Sequence, residues 1–219
     1  MSVGLILLSV VSALILFGVA QRVLDKMQLT DRAAILMAAA IFFGGFLPDI
    51  RLGNVAINVG GALVPLGICV YLLIRADTKK EVIRALLGSL ATAIAVFALG
   101  KLLPDEPEKI FIDPNYVYGI AGGIIAWLLG RSRRAAFICG VLGVIGADAL
   151  VGIINLRRGI HQTLVLGGAG AMDVVVISGL LAVLLCELTG EIMERIARAK
   201  GKEKNEDVHI PFEKGGNKG

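Results

Sequence analysis

Apolar residues run along this chain in blocks of roughly 15 to 24, close to the roughly 20 that a helix needs to cross a bilayer's hydrocarbon core. Segments of about ten residues with strict alternation, as a transmembrane barrel requires, are absent. The pattern predicts helical spans over Val3 to Ala20, Ala33 to Leu47, Val55 to Ile74, Val82 to Gly100, Tyr116 to Gly130, Ala135 to Ile154 and Thr163 to Glu187. The expected fold class is all-α: a polytopic membrane helix bundle with about seven transmembrane helices. Residues 1–190 form the bundle and 191–219 a charged cytoplasmic tail. That tail starts as a helical extension able to lie on the membrane through Ile192 and Ile196, and its end reads as disordered.

Composition agrees with the pattern. Of 219 residues, 56% are hydrophobic and only 18% charged, with mean hydropathy +0.80, too apolar for an ordinary soluble domain. The expected location is the cell membrane, with the chain crossing it several times. The first block has no Lys or Arg ahead of it and lacks a clear cleavage site, so it reads as a retained span rather than a signal peptide. Cys69, Cys139 and Cys186 each lie in an apolar block without CxxC spacing, which indicates neither disulfides nor a zinc site.

Charge fixes orientation rather than a nucleic-acid partner, because Lys and Arg sit between apolar blocks and in the tail without interleaved aromatics. Positive residues follow the first, third, fifth and seventh spans: Arg22, Lys26 and Arg32, then Arg75, Lys79, Lys80 and Arg84, then Arg131, Arg133 and Arg134, and finally the tail. Cytoplasmic loops are enriched in such residues, so the N-terminus is expected outside and the C-terminus in the cytoplasm. Outside, the stretch "KLLPDEPEKIFIDPNY" forms the longest loop, and its prolines and acids read as an irregular connector.

Two carboxylates stand within the spans. A charge at the centre of a membrane helix costs at least about 2.5 to 3.5 kcal/mol and usually faces a cavity or a partner. By residue count, Asp148 in the sixth span and Asp173 in the seventh lie at similar depth on adjacent antiparallel helices. Asp49 closes the second span on the same side, Asn54 and Asn58 enter the third, and Arg158 and His161 stand between the sixth and seventh. Together they suggest a polar pocket in the outer half, where Asp148 and Asp173 share a proton, bind a cation or do acid–base chemistry. Two carboxylates in a poorly solvated site do not both ionise easily. The plainer alternative is that each aspartate is protonated or hydrogen-bonded as packing between helices.

Glycine pairs recur at Gly44–Gly45, Gly60–Gly61, Gly122–Gly123 and Gly167–Gly168. They permit close helix packing, or, at helix starts, aim backbone N–H groups at a ligand. "GGFLPD", ending at Asp49, and "GVIGAD", ending at Asp148, are each followed by "GGA", which suggests a 3+1+3 parallel repeat with the fourth span as linker. Pro65 predicts a kink in the third span.

The stretch "INVGGALVPLGICVYLL", with "GADALVG" and "GGAGAMD", resembles a prokaryotic membrane-protein family known as domain of unknown function sixteen-fourteen. The resemblance spans the second to the seventh span and implies an integral membrane protein without an activity. In chemistry alone, Asp148 and Asp173 are similar to the paired aspartates of presenilin-type intramembrane proteases. Here Ala171 and Met172 precede Asp173, Ala147 precedes Asp148, and no Pro-Ala-Leu follows. The seventh span also lacks the lysine of a rhodopsin.

No phosphate loop, dinucleotide fingerprint, metal-ligand cluster or cofactor motif is present in the sequence. The leading expectation is a proton- or cation-coupled transporter or channel using Asp173 and Asp148, with Asp49, Asn58, Asn54, His161 and Arg158 as further binding candidates. Proteolysis inside the membrane, with Asp148 and Asp173 catalytic, and a non-catalytic assembly role are the alternatives. The implied partners are the lipid bilayer, a proton or cation and, as an open alternative, further copies of the chain; nucleic acid is not among them.

Overall fold

The computed structural model describes residues 31–102, 114–160, 162–168 and 173–206. The expected first span, residues 103–113 of the expected outer connector and the end of the tail lie outside the described residues. By contact, the chain divides into two units, Met1–Cys186 and Glu187–Gly219.

The first unit opens with α1 (Asp31–Gly44) and a hairpin of β1 (Ile50–Leu52) and β2 (Val55–Ile57). A π-helical turn over Val59–Leu63 leads into α2 (Val64–Ile74), followed by α3 (Lys79–Leu102), α4 (Pro114–Gly130), α5 (Arg133–Arg157), β3 (Leu164–Leu166) and α6 (Val174–Glu206). Beyond Cys186, α6 runs on as the second unit, where Glu191 and Arg195 pair one turn apart at 2.6 Å.

Three stretches are long and apolar enough to cross a membrane: Lys79–Leu102, Arg133–Arg157 and Val174–Ala197. On α3 the outward residues Ile83, Leu86, Leu87, Leu90 and Ile94 share one face of the helix and are all at least 48% exposed. Such a stripe on a helix, left open to water, is costly; in lipid it is at home. The apolar helices therefore point to a bilayer environment.

Helix α5 is the hub, packed against both α3 and α4. Its small residues make this possible. A Cβ at Gly140 would stand 2.9 Å from Gly179 Cα of α6, and one at Gly143 would stand 2.5 Å from Thr92 Cγ2 of α3. At its N-terminus Ser132 Oγ accepts from Ala135 N at 3.1 Å and donates to Glu81 Oε1 at 2.8 Å. Arg134, 5% exposed, pairs with Asp77 and with Glu81, the latter at 3.4 Å. One of the residues that pattern alone makes a topological signal is thus also a buried clasp between α5 and the start of α3.

The bundle carries a small sheet that the apolar pattern does not predict. β1 and β2 are antiparallel, with Leu52 opposite Val55, and β2 and β3 run parallel, with Val55 opposite Leu164 and Ile57 opposite Leu166. The expected third and seventh spans therefore begin as strands, and their helices start only later. Gly167, at φ +68°, turns the chain out of β3 where a Cβ would meet Gly61 C at 2.4 Å. Pro65 stands where the π turn passes into α2, inside the continuous helical run Val59–Ile74. Leu63 N donates to Asn58 O at 3.1 Å and Val64 N to Val59 O, so the wider bonds end where proline supplies no N–H.

Candidate functional site

The sheet moves Asp173 to a new place. With the first residues of its apolar block drawn into β3, Asp173 stands immediately before α6, and its Oδ1 accepts from Val175 N at 3.0 Å. That is an N-cap bond, satisfying one of the donors that every helix start leaves over. Asp173 is 9% exposed. Counting along one long span put it about ten residues inside a helix; the strand and turn before it account for the difference.

Asp148 comes from α5, where Val144, Asp148, Val151 and Asn155 recur at helical spacing and share a face. Arg158 follows at the C-cap, where a positive side chain meets the negative end of the helix dipole. This face and Asp173 line one cavity of about 630 Å³. Val96, Phe97, Gly100 and Lys101 of α3, Tyr118 of α4, Val165 of β3 and Val174 of α6 also line it. The two carboxyl groups lie within electrostatic reach of each other. Asp148 makes no hydrogen bond or ion pair with another of the described residues. Lys101 Nζ sits 5.2 Å from the centre of the Phe97 ring.

The cavity thus holds two carboxylates, two basic side chains, an amide and a phenol in an otherwise apolar wall. Such a set can exchange protons, hold a small cation between carboxylates, or balance a bound charge against Arg158 and Lys101. Lys101, Tyr118 and Asn155 complete the polar set. Their common signal is position: each stands within a turn or two of a helix end on the side where Asp148 and Asp173 gather.

Asp49, Asn54 and Asn58 are not among the residues that line it. Asn58, 4% exposed, caps the π turn through Oδ1, which accepts from Gly61 N at 2.9 Å, and its Nδ2 donates to Asp49 Oδ1 at 2.9 Å. Asn58 N also donates to Leu166 O at 2.9 Å, tying β2 to β3. Asn54 is exposed in the hairpin and its carbonyl accepts from Leu164 N at 2.8 Å. His161 lies outside the described residues. Among the described residues no group of three or more His, Cys, Asp or Glu is placed to hold a metal ion.

Three of the four glycine pairs meet at one spot. A Cβ at Gly60 would lie 2.2 Å from both Gly45 N and Ile41 O, and one at Gly44 would lie 3.0 Å from Gly60 Cα. With Gly167 against Gly61, these contacts are backbone to backbone, which is close packing of α1, the π turn and the strand that follows α5.

Fold and site together define a bundle of apolar helices, suited to a lipid bilayer, with a polar cavity at one end. Residues 46–185 match the family described as "Protein of unknown function (DUF1614)", and the chain belongs to that family. No curated protein and no solved structure gives a significant match.

Proposed function

We infer that the protein is a small multi-pass transporter or channel that binds a proton or cation at Asp148 and Asp173. The observation that carries this reading is the shared cavity: carboxylates from two different elements, with Asn155, Arg158, Lys101 and Tyr118, in a wall otherwise built of apolar residues. A packing role needs no cavity of this size beside the carboxylates. Acidic side chains within apolar helices that face a cavity are what proton and cation pathways use.

With the N-terminus outside, as the positive residues predict, the cavity opens to the outer face. The 3+1+3 repeat fits the same reading. β2 and β3 pair in parallel, and each leads through a Gly-Gly pair toward a helix.

The test is reconstitution into liposomes with a pH-sensitive dye and a panel of monovalent and divalent cations. Wild-type protein is expected to carry flux that Asp173→Asn and Asp148→Asn each abolish. Wild-type liposomes no more permeable than empty ones, under any gradient, would sink the reading.

A further inference from the structure

Below the carboxylates the cavity wall ends in Val96 of α3, Val144 of α5 and Val174 of α6. One helical turn deeper on α3, four residues from Val96, lies Thr92. One turn deeper on α6, four residues from Val174, lies Ser178. Both are 0% exposed, and neither hydroxyl oxygen has a hydrogen-bond partner among the described residues.

That is unusual for hydroxyls in apolar helices, which ordinarily bond back to the carbonyl four residues earlier. Ser89, the next polar residue along α3, does so: its Oγ donates to Ala85 O at 2.7 Å and also approaches Ile138 O at 3.3 Å. Thr92 and Ser178 leave that option unused. A buried polar group without a partner is costly, so two at one level of the bundle call for an explanation.

Their surroundings link them to the cavity. A Cβ at Gly122 of α4 would meet Ser178 Oγ at 2.9 Å and the Cγ2 atoms of both Val96 and Val144 at 3.4 Å. Ser178 Oγ therefore lies close to the Val96 and Val144 side chains that line the cavity. Thr92 packs against Gly143, the residue before Val144 on α5. Glycine-to-side-chain packing this close leaves no room for a hydrated ion. A water admitted from the cavity would supply the partner that each orphaned hydroxyl lacks.

We propose that Thr92 and Ser178 form an inner step of a proton path, receiving protons from the Asp148 and Asp173 cavity through a water admitted past Val96 and Val144. In each hop that water takes a proton from the protonated carboxyl of Asp148 or Asp173 as it passes one of its own to a hydroxyl oxygen, and the hydroxyl passes its former proton to a second water on the inner side. One O–H bond forms as another breaks, and no net charge remains on the residue. The step rests on the transport reading above and names its cargo as the proton.

The experiment measures proton uptake into dye-loaded liposomes for wild type, Asp173→Asn, Thr92→Val, Thr92→Ser, and the double variant Thr92→Val with Ser178→Ala. Expected results are full uptake in wild type, none in Asp173→Asn, at least a tenfold loss in the double variant, and near wild-type uptake in Thr92→Ser. The double variant should melt no lower than wild type in detergent, since it removes only unpartnered oxygens. Uptake in the double variant within twofold of wild type, with Asp173→Asn inactive, would overturn the inner step and leave the transport reading standing. Equal loss in Thr92→Ser and Thr92→Val would also overturn it, as a packing defect. So would alkali-cation flux without proton movement. Wild-type liposomes as tight as empty ones would defeat both proposals together.

Discussion

Asn58 Nδ2 donates to Asp49 Oδ1 at 2.9 Å, so the residue that caps the π turn also fixes the chain leaving α1. With its Oδ1 engaged by Gly61 N, the amide has both ends in use. Asn58→Ala removes a cap worth about 0.5 to 2 kcal/mol and leaves the Gly61 N–H without its acceptor. A clear fall in melting temperature in detergent is expected. Asn58→Asp keeps the capping oxygen but turns a carboxylate toward Asp49. Its instability should be greatest at neutral pH and should ease on acidification, as one carboxylate of the pair takes up a proton. Melting curves at several pH values check this.

Gly60 and Gly67 provide a matched pair. An added Cβ at Gly60 meets only backbone, Gly45 N and Ile41 O, at 2.2 Å, whereas at Gly67, within α2, nothing lies within 4 Å. Backbone cannot swing aside as a side chain can. Gly60→Ala should therefore severely reduce folded yield, while Gly67→Ala should be neutral or stabilising by up to about 1 kcal/mol through helix propensity. Comparable losses in both, measured by size-exclusion profile and melting temperature, would contradict the packing described.

What was legible in the sequence follows from the size of each signal. Long apolar blocks mark α3, α4 and α5 to within a few residues, because few other structures accommodate such runs in lipid. The three-residue strands were hidden for the same reason: Val55–Ile57 and Leu164–Leu166 are themselves apolar and merge with the helices that follow. Asp173 was misplaced as a result, although an Asp directly before "VVVISG" carries the mark of an N-cap. Asp148 and its alignment with Asn155 and Arg158 could be read from helical spacing. The Arg134 clasp could not, since its acids lie 57 and 53 residues away in sequence.

That clasp yields its own prediction. Arg134 is buried and meets Asp77, Glu81 and the Arg75 carbonyl, while Glu81 is only 16% exposed at its side chain. Removing one partner of a fully buried ion pair costs about 3 to 5 kcal/mol, chiefly because the other charge stays behind; here the Asp77 side chain is 55% exposed, so Glu81 is the charge that is left stranded. Arg134→Met should be among the most destabilising single changes at this end of the bundle. Glu81→Gln introduced alongside it should restore part of the loss, because the stranded charge is then gone. A double-mutant cycle on melting in detergent measures that recovery, and strict additivity would show that the two side chains do not act on each other.

Asp173 has one role that the structure shows and a second that we propose, and substitution can separate them. As the N-cap of α6 it needs only an acceptor oxygen for Val175 N, and asparagine supplies one as well as aspartate does. As a cavity carboxylate it needs a group that can take up and release a proton, which asparagine lacks. Asp173→Asn should therefore melt within about 0.5 kcal/mol of wild type, within the range of a preserved cap, yet carry no flux. Asp173→Ala should lose flux and also about 0.5 to 2 kcal/mol of stability. If Asp173→Asn kept its flux, the carboxylate would be a cap and nothing more, and the cavity beside it would need a different occupant.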